Sequence, residues 1–506
     1  MAEADASRRW CTTSGAAASE LEGTLLISGS LFPYFFLVAL EAGSPVRALA
    51  LLAAHPLLAL LAAAFPSSDL PLLATTFLST AGLPAADVAV VARATLPRFF
   101  LADLRASAFR AFSAASATAA AEKQHGDERF VVTRLPRVLA EPFVKEFVGA
   151  DVRVVGTELT LAATGRFTGG AVAAAAPSPC HRRVTASSSS TTTTSLLPRG
   201  EYTKPLVFHD GRLVARPTPL SVLAVFLWVP LGVILSATRL LLGFLPYGAG
   251  VLLAAATGFR ISAAFAIFAN PPPPPPPTAT KHHSRTRGGG GSTTLYACNH
   301  QTLMDPVILS TVLRRRRRRV TAVTYSLASF SELIAPIPTV RLTRDRAVDR
   351  RIMHAALAKG DLVVCPEGTT CREPYMLRFS PLFAEVGGGD DVVIKPTAVR
   401  AGGTMFYGST VRGHKWLDSV FFLMNPAPWY EIRVLEAVDT GNGGGGGEEV
   451  VTTTSRDVAN EVQRVIGDEL GFECTGLTRK DKYRMIAGHD GVDARTTAPL
   501  LLPASL

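Results

Sequence analysis

Charged residues and cysteines are both scarce in this sequence. Only 18% of the 506 residues are Asp, Glu, Lys or Arg, whereas 48% are hydrophobic, and a soluble enzyme usually carries more charge. The six cysteines are scattered without the spacing of a disulfide framework or a metal site, which favours a reducing compartment. The first 24 residues have no apolar core, so we predict no cleaved secretory signal. Membrane association is therefore the first expectation.

The excess of positive charge is partly local. The net charge is +10, and a run of six arginines at 314–319 supplies much of it. A basic chain suits either nucleic acid or an anionic membrane surface. Because no module of interleaved basic and aromatic residues occurs, we expect a lipid bilayer as partner and no nucleic acid. The arginine run itself is interpreted as a solvated or headgroup-facing loop.

Long apolar stretches are the strongest membrane signal. Residues 48–65 contain no charged side chain but include Pro56, which fits either a short spanning helix or a re-entrant hairpin. Residues 219–238 are uncharged between Arg216 and Arg239 and form the best spanning candidate, although a buried helix of a large soluble core is the alternative. Residues 240–259 would either pair with this helix or lie in the interface.

Two low-complexity segments mark the domain boundaries. Residues 187–195 are all Ser or Thr and predict a disordered insertion, and seven prolines at 271–277 with four glycines at 288–291 predict a spacer. We therefore expect a first domain at 1–210, membrane-embedded helices at 211–260, a linker at 261–292, a second domain at 293–490 and a tail at 491–506.

The segment CNHQTLMDP at 298–306 carries a histidine and a carboxylate five positions apart. Asp305 could orient one imidazole nitrogen of His300 and leave the other to take a proton. No Ser or Cys stands beside His300 in an obvious nucleophile setting, so the attacking hydroxyl would belong to a substrate. An H-x4-D pattern alone is more often an ordinary polar turn, and the assignment therefore depends on the segments that follow.

Beyond residue 292 the pattern predicts an α/β domain. Strands are expected at 320–325, 340–342, 362–365 and 392–399, with a helix at 349–359. The loops after these strands are polar, as at the sites of α/β folds. Arg344 suits a bidentate grip on phosphate. In the turn PEGTTCR, Gly368 permits close backbone approach, Thr369 offers a hydroxyl and Arg372 adds a cation.

A carboxylate pair opens the first domain. Glu20 and Glu22 stand where a strand is expected to end, and ELEGT resembles the D-x-D-G-T start of haloacid dehalogenase-like phosphatases. The extra methylene of Glu moves the attacking oxygen by about 1.5 Å, which slows in-line attack by orders of magnitude. Lys145 would be the phosphate partner, but no acidic pair between 156 and 204 could hold magnesium. We predict a degenerate phosphatase site without turnover.

Together these segments resemble the acyltransferase blocks of the glycerol-phosphate acyltransferase superfamily, and the wider sequence resembles the land-plant glycerol-3-phosphate acyltransferases. The stretches that carry the resemblance are PEGTTCREP (366–374), LRFSPLFAE (377–385), FFLMNP (421–426), GFECTGLTRKDKY (471–483), EPFVKEFVGADVRVVGT (141–157) and RLVARPTP (212–219). The resemblance implies an α/β fold class, with an N-terminal haloacid dehalogenase-like domain, membrane helices and a C-terminal α/β acyltransferase domain.

The resemblance also implies roles for individual residues. They are His300 as base, Asp305 as its orienting partner, Arg344 as phosphate ligand, Glu367 with Gly368 as the glycerol-phosphate loop, and Pro396 in the block that shapes the acyl side. No cofactor or metal is expected, and acyl-CoA is the co-substrate.

The expected reaction acylates the sn-2 hydroxyl of glycerol 3-phosphate to give lysophosphatidic acid. The family context implies an endoplasmic-reticulum membrane with the acyltransferase domain facing the cytosol, and a role in cutin, suberin or anther lipid synthesis. A lysophospholipid acyltransferase and a non-catalytic membrane scaffold are the alternatives left open.

Overall fold

The computed structural model describes residues 17–121, 129–172, 182–183, 195–265, 293–314, 320–324, 336–388, 392–438 and 454–490. Two compact units are present: Met1–Leu227 with Met485–Gly488, and Trp228–Arg484 with His489–Leu506. Most of the arginine run, most of the Ser/Thr run and the proline-glycine spacer lie outside the described residues.

The first unit contains a five-stranded sheet. Its strands are β1 (Ala17–Glu20), β2 (Arg129–Pro136), β3 (Arg153–Leu161), β4 (Phe167–Val172) and β5 (Arg182–Arg183). They lie in the order β4-β3-β2-β1-β5 and are parallel except for the β3/β4 pair. Strand β2 is buried along most of its length, as expected of an inner strand that carries helices on its faces.

In the described part of this unit, seven α-helices accompany the sheet. They are α1 (Phe32–Val38), α2 (Pro45–Ala64), α3 (Leu70–Thr80), α4 (Ala85–Ala94), α5 (Leu96–Leu101), α6 (Ala106–Ala121) and α7 (Arg137–Phe143). Helix α2 runs unbroken through Pro56, so the apolar stretch predicted at 48–65 is one helix and not a hairpin.

The second unit contains a seven-stranded sheet and a small two-stranded one. The strands are β6 (Arg260–Phe265), β7 (Thr293–Cys298), β8 (Val320–Thr324), β9 (Thr339–Arg341), β10 (Asp361–Val364), β11 (Tyr375–Met376), β12 (Val392–Gly402), β13 (Trp429–Val434) and β14 (Glu473–Cys474). The large sheet has the order β6-β13-β12-β7-β10-β8-β9. Its neighbouring strands are parallel except for the β12/β13 pair, which is antiparallel. The small sheet pairs β11 with β14. The four strands predicted between 320 and 399 are confirmed.

Helices cover both faces of the large sheet. They are α8 (Pro219–Leu240), which crosses the boundary between the two units, α9 (Tyr247–Ala256), α10 (Asp305–Arg314), α11 (Arg346–Leu357), α12 (Leu382–Gly387), α13 (Trp416–Leu423), α14 (Ser455–Leu470) and α15 (Arg479–Ala487). Side chains of the central strand β7 alternate between the two cores: Leu295 packs in one and Tyr296 in the other. Burial on both faces explains why β7 reads as an almost continuous apolar run.

Among the described residues, two helices are long and apolar enough to cross a membrane by length and composition. Helices α2 and α8 have 20 and 22 residues, and only 11% and 17% of their most apolar windows are buried. A core helix of a soluble protein would be mostly buried, so this exposure argues against the soluble-core alternative for α8. Helix α9 has 10 residues and is too short to span.

Candidate active site

His300 and Asp305 are hydrogen-bonded at the end of the central strand. His300 follows β7 by two residues, and Asp305 is the first residue of α10, so the intervening turn brings the two side chains together. The distance from His300 Nδ1 to Asp305 Oδ2 is 3.0 Å. The imidazole is 14% exposed, whereas the carboxylate is fully buried. With Nδ1–H donated to Asp305, Nε2 is the nitrogen left to accept a proton.

Asp305 is held in place by donors on both oxygens. Oδ2 also accepts the backbone N–H groups of Gln301 (2.7 Å) and Thr302 (3.0 Å). Oδ1 accepts the hydroxyls of Thr302 (2.8 Å) and Tyr430 (2.9 Å). Because a buried carboxylate is stable as an anion only when such donors surround it, these contacts explain how a fully buried Asp305 can orient an imidazole.

The residues beside His300 attach its loop to strand β12. Asn299 Nδ2 donates to the carbonyl of Val399 at 2.8 Å, and its Oδ1 accepts the Val399 N–H at 2.7 Å. Gln301 Oε1 accepts the N–H of Ala401 at 2.7 Å. These side chains continue the hydrogen bonding of the β7/β12 pair beyond the last residue of β7, which fixes the backbone that carries the histidine.

Glu367 contacts the same loop from the turn after β10, the neighbour of β7 on the other side. Its Oε1 accepts the His300 N–H at 2.9 Å, and its Oε2 accepts the Leu377 N–H at 3.3 Å. The side chain is only 4% exposed, and burial raises the pKa of its carboxyl to about 8. This inward contact makes Glu367 a positioning residue for His300.

A small polar cavity of about 120 Å³ adjoins the histidine. Among the described residues it is lined by His300, Leu303, Pro306, Val323, Thr324, Cys365, Gly368, Thr369, Thr370, Thr410, Val411, Lys415, Asp418, Arg479, Lys482 and Tyr483. Gly368 and Thr369 therefore line the same cavity as His300. Gly368 has φ +67°, a left-handed conformation that favours glycine.

Besides Asp305 and Glu367, three further predicted site residues are absent from the described lining of this cavity. Arg344 is exposed in the loop after edge strand β9, and its backbone N–H donates to Asp349 Oδ2 at 2.9 Å. Arg372 stacks over Tyr407, with its guanidinium carbon 4.3 Å from the ring centroid. Pro396 is buried within β12, opposite Ala297 of β7. None of the three is among the described residues that line the cavity.

The sequence did not predict the basic residues that line this cavity with His300. Lys415, Arg479 and Lys482 line the cavity together with Tyr483. Three of these four residues belong to the stretch GFECTGLTRKDKY at 471–483, which supported the family resemblance but received no role. The available signal was its density of basic residues and an aromatic, but nothing in the spacing places them against a loop so far away along the chain.

A large apolar cavity adjoins the small one. It has a volume of about 1100 Å³ and is lined mainly by apolar side chains of α8 to α10 and strand β6. Leu303, Pro306, Thr324 and Lys415 line both cavities, so the two meet next to His300. A polar pocket and an apolar pocket thus share one edge at the candidate base.

Glu20, Glu22 and Lys145 are the residues predicted to form a degenerate phosphatase site. Glu20 ends β1, and Glu22 is buried, where it accepts the Thr133 hydroxyl and the Arg134 N–H. Lys145 Nζ donates to the carbonyl of Ala150 at 2.9 Å. Within the described part of the chain, no group of three or more His, Cys, Asp or Glu side chains could hold a metal ion.

Comparisons with known proteins cover both units. Residues 16–197 match the family described as glycerol-3-phosphate acyltransferase RAM2-like, HAD-like domain, and residues 279–400 match the acyltransferase family. The chain is 38% identical to probable glycerol-3-phosphate acyltransferase 2 of Arabidopsis thaliana, over 93% of this chain and 89% of the relative. It is 39% identical to glycerol-3-phosphate acyltransferase 1 of the same plant (94% and 81%) and 38% identical to glycerol-3-phosphate acyltransferase RAM2 of Petunia hybrida (93% and 97%).

Proposed function

Because the chain belongs to the plant glycerol-3-phosphate acyltransferase family, we propose that it moves an acyl group from acyl-CoA to a hydroxyl of glycerol 3-phosphate. The observation that carries this proposal is the meeting of the two cavities beside His300. Acyl transfer needs a polar site for the polyol and an apolar site for the acyl chain. The hydroxyl oxygen and the thioester carbon must also lie close to one base. The two adjoining cavities and His300 support this proposal.

The chemical step follows from the histidine geometry. Nε2 of His300 takes the proton of the acceptor hydroxyl while Asp305 holds the ring and stabilises the imidazolium that forms. The hydroxyl oxygen attacks the thioester carbon, an ester C–O bond forms and the C–S bond breaks. The imidazolium then returns its proton to the departing thiolate, so the histidine ends unchanged. No residue of the protein is acylated in this scheme.

The remaining residues of the predicted site have these places in the proposal, except Arg372, whose guanidinium stacks on Tyr407. Gly368 and Thr369 contact the polyol, since both line the polar cavity. Arg344 stays the predicted phosphate ligand from its exposed loop, and Pro396 shapes the sheet behind the site. Glu367 acts through the His300 backbone.

The product keeps its phosphate. Attack by Glu20 would lack both the geometry of an aspartate and a metal cluster among the described residues, and Glu22 is engaged with Thr133 and Arg134. Lysophosphatidic acid, rather than monoacylglycerol, is the expected product.

The setting is a membrane, with α2 and α8 in the bilayer. Reaction at the sn-2 hydroxyl, an endoplasmic-reticulum location with the second unit facing the cytosol, and supply of cutin, suberin or anther lipids complete the proposal. All of these finer features come from the family resemblance.

An acyl-transfer assay with purified protein in detergent micelles tests the proposed reaction. The protein is given a panel of acyl-CoA donors with glycerol 3-phosphate, lysophosphatidic acid or lysophosphatidylcholine as competing acceptors, and the position of the acyl group is determined in the product. Preference for glycerol 3-phosphate supports the proposal. Preference for a lysophospholipid would instead identify the protein as a lysophospholipid acyltransferase. If no donor supports acyl transfer, the protein would be a non-catalytic membrane scaffold.

A further inference from the structure

Three basic side chains reach the polar cavity from beyond the segment that matches the acyltransferase family. That match ends at residue 400, whereas Lys415 precedes α13 and both Arg479 and Lys482 belong to α15. We call these three residues the basic cluster. All three line the same cavity as His300, so they are placed to contact a substrate whose hydroxyl reaches the histidine.

Lys482 is built into the wall of the cavity. It is 5% exposed, and its Nζ donates to the Thr370 carbonyl at 2.5 Å and to the Thr370 hydroxyl at 3.2 Å. The Thr369 hydroxyl is 3.4 Å away. A buried ammonium costs free energy unless such oxygens surround it, so this lysine holds a positive charge and the Thr369 turn together at the cavity edge.

Tyr483 holds the other two cations in place. Lys415 Nζ donates to the Tyr483 hydroxyl at 3.0 Å. The Arg479 guanidinium carbon lies 4.8 Å from the Tyr483 ring centroid, within the range of a cation–π contact. The tyrosine therefore positions a lysine on one side and an arginine on the other while it lines the same cavity.

From these contacts we propose that the basic cluster binds the phosphomonoester of the acceptor. The inference rests on the proposed function and names the part of the chain that recognises its substrate. Arginine and lysine are the side chains that bind phosphate most strongly, and the hydroxyl of Thr369, which accepts from Lys482, adds a neutral donor. A cavity of about 120 Å³ suits a small polyol phosphate whose hydroxyl must reach His300.

The phosphates of CoA are the other source of this chemistry. The two sources differ in which Michaelis constant depends on the cluster. The variants are Arg479→Gln and Lys415→Gln in the full-length chain, with Lys480→Gln as the matched control. Lys480 belongs to the same helix and is exposed, and it is not among the described residues that line the cavity. An Arg344→Gln variant decides between the cluster and the phosphate ligand predicted from the sequence: a loss of phosphate preference in Arg344→Gln alone would overturn the inference.

Glycerol serves as the phosphate-free acceptor. We expect each cluster variant to lower the ratio of kcat/KM for glycerol 3-phosphate to kcat/KM for glycerol by roughly 10- to 100-fold, as expected when a charged hydrogen bond is lost. Lys480→Gln should leave the ratio within about twofold. An unchanged ratio in both cluster variants would overturn the inference, as would an increase confined to the KM for acyl-CoA, which would assign the cluster to CoA.

Direct binding separates this inference from the proposed function. Calorimetry with glycerol 3-phosphate, and with glycerol as the reference ligand, needs no turnover. Binding of glycerol 3-phosphate that weakens in both cluster variants would support the cluster even if no acyl transfer were detected. Equal affinity in the wild type and both variants would contradict it even if transfer were efficient.

Discussion

Glu367 Oε1 lies 2.9 Å from the backbone nitrogen of His300 and accepts its N–H. The contact joins the loop after β10 to the loop after β7, two neighbouring parallel strands. The candidate base is thus positioned from its ring by Asp305 and from its backbone by Glu367.

The raised pKa of Glu367 makes the stability of the second unit depend on pH. Burial moves the carboxyl pKa from 4.5 to about 8, so the folded state binds more protons than the unfolded state between these values. Stability should therefore fall as pH rises from about 4.5 to about 8, by an amount on the order of a few kcal/mol. Thermal unfolding of wild type and Glu367→Gln at pH values across this range measures it.

Gln cannot ionise, so the variant should gain on the wild type as pH rises and level off above pH 8. Glu436→Gln removes an exposed carboxylate from the same unit and should show no such trend. A stability difference between wild type and Glu367→Gln that stays constant with pH would contradict the assigned burial.

Asp305→Asn should lower kcat by about 10³- to 10⁴-fold, because an amide that donates to Nδ1 would leave the proton on Nε2. Tyr430→Phe removes one donor to Asp305 and keeps the carboxylate, so a smaller loss, about 10-fold, is expected. Steady-state acyl transfer measures both. Asp468→Asn, at an exposed position of α14, is the control. Equal losses for the Asp305 and Asp468 variants would refute the orienting role.

The large apolar cavity should select acyl chains by length. Thr311 lines it six residues beyond Asp305 along α10, which is about 9 Å farther from the base. Thr311→Phe should reduce kcat/KM for oleoyl-CoA by about 10-fold or more and affect octanoyl-CoA little, since only the long chain reaches this depth. The ratio of kcat/KM for the two donors, measured on one preparation, is independent of the fraction of active protein and serves as the internal control. A parallel loss for both donors would show that the cavity does not hold the acyl chain.

Phosphate release tests the degenerate phosphatase site. Purified protein given glycerol 3-phosphate and acyl-CoA should form lysophosphatidic acid without detectable inorganic phosphate, and Glu20→Ala should transfer acyl groups at the wild-type rate. Colorimetric phosphate and chromatographed product measure this. Efficient release that disappears in Glu20→Ala would mean that the first unit is an active phosphatase.

The sequence predicted the contact between His300 and Asp305 but not the residues that surround it. His300 and Asp305 were identifiable because the turn that joins them is short, and the strands around them because their apolar runs are distinct. Glu367 was expected to contact substrate, yet its carboxylate points inward, since side-chain direction in a loop depends on which backbone groups need partners. Lys482 was missed because only the tertiary fold brings α15 to the Thr369 turn.

The apolar stretches were also predictable in position but not in detail. Hydropathy located α2 and α8, but Pro56 left open whether the first was a hairpin, and the structure has one helix. A proline inside an apolar helix is tolerated when the neighbouring backbone satisfies the hydrogen bonds that it removes, and this local adjustment is not encoded in composition.

The most direct test of the account is acyl transfer from oleoyl-CoA to glycerol 3-phosphate by wild type and His300→Gln, each shown by thermal unfolding to be folded. We predict lysophosphatidic acid from the wild type and a rate lower by about 10³-fold or more in the variant, because the variant lacks the imidazole that Asp305 orients to take the hydroxyl proton. A folded His300→Gln protein that transfers at a rate within about tenfold of the wild type would contradict it.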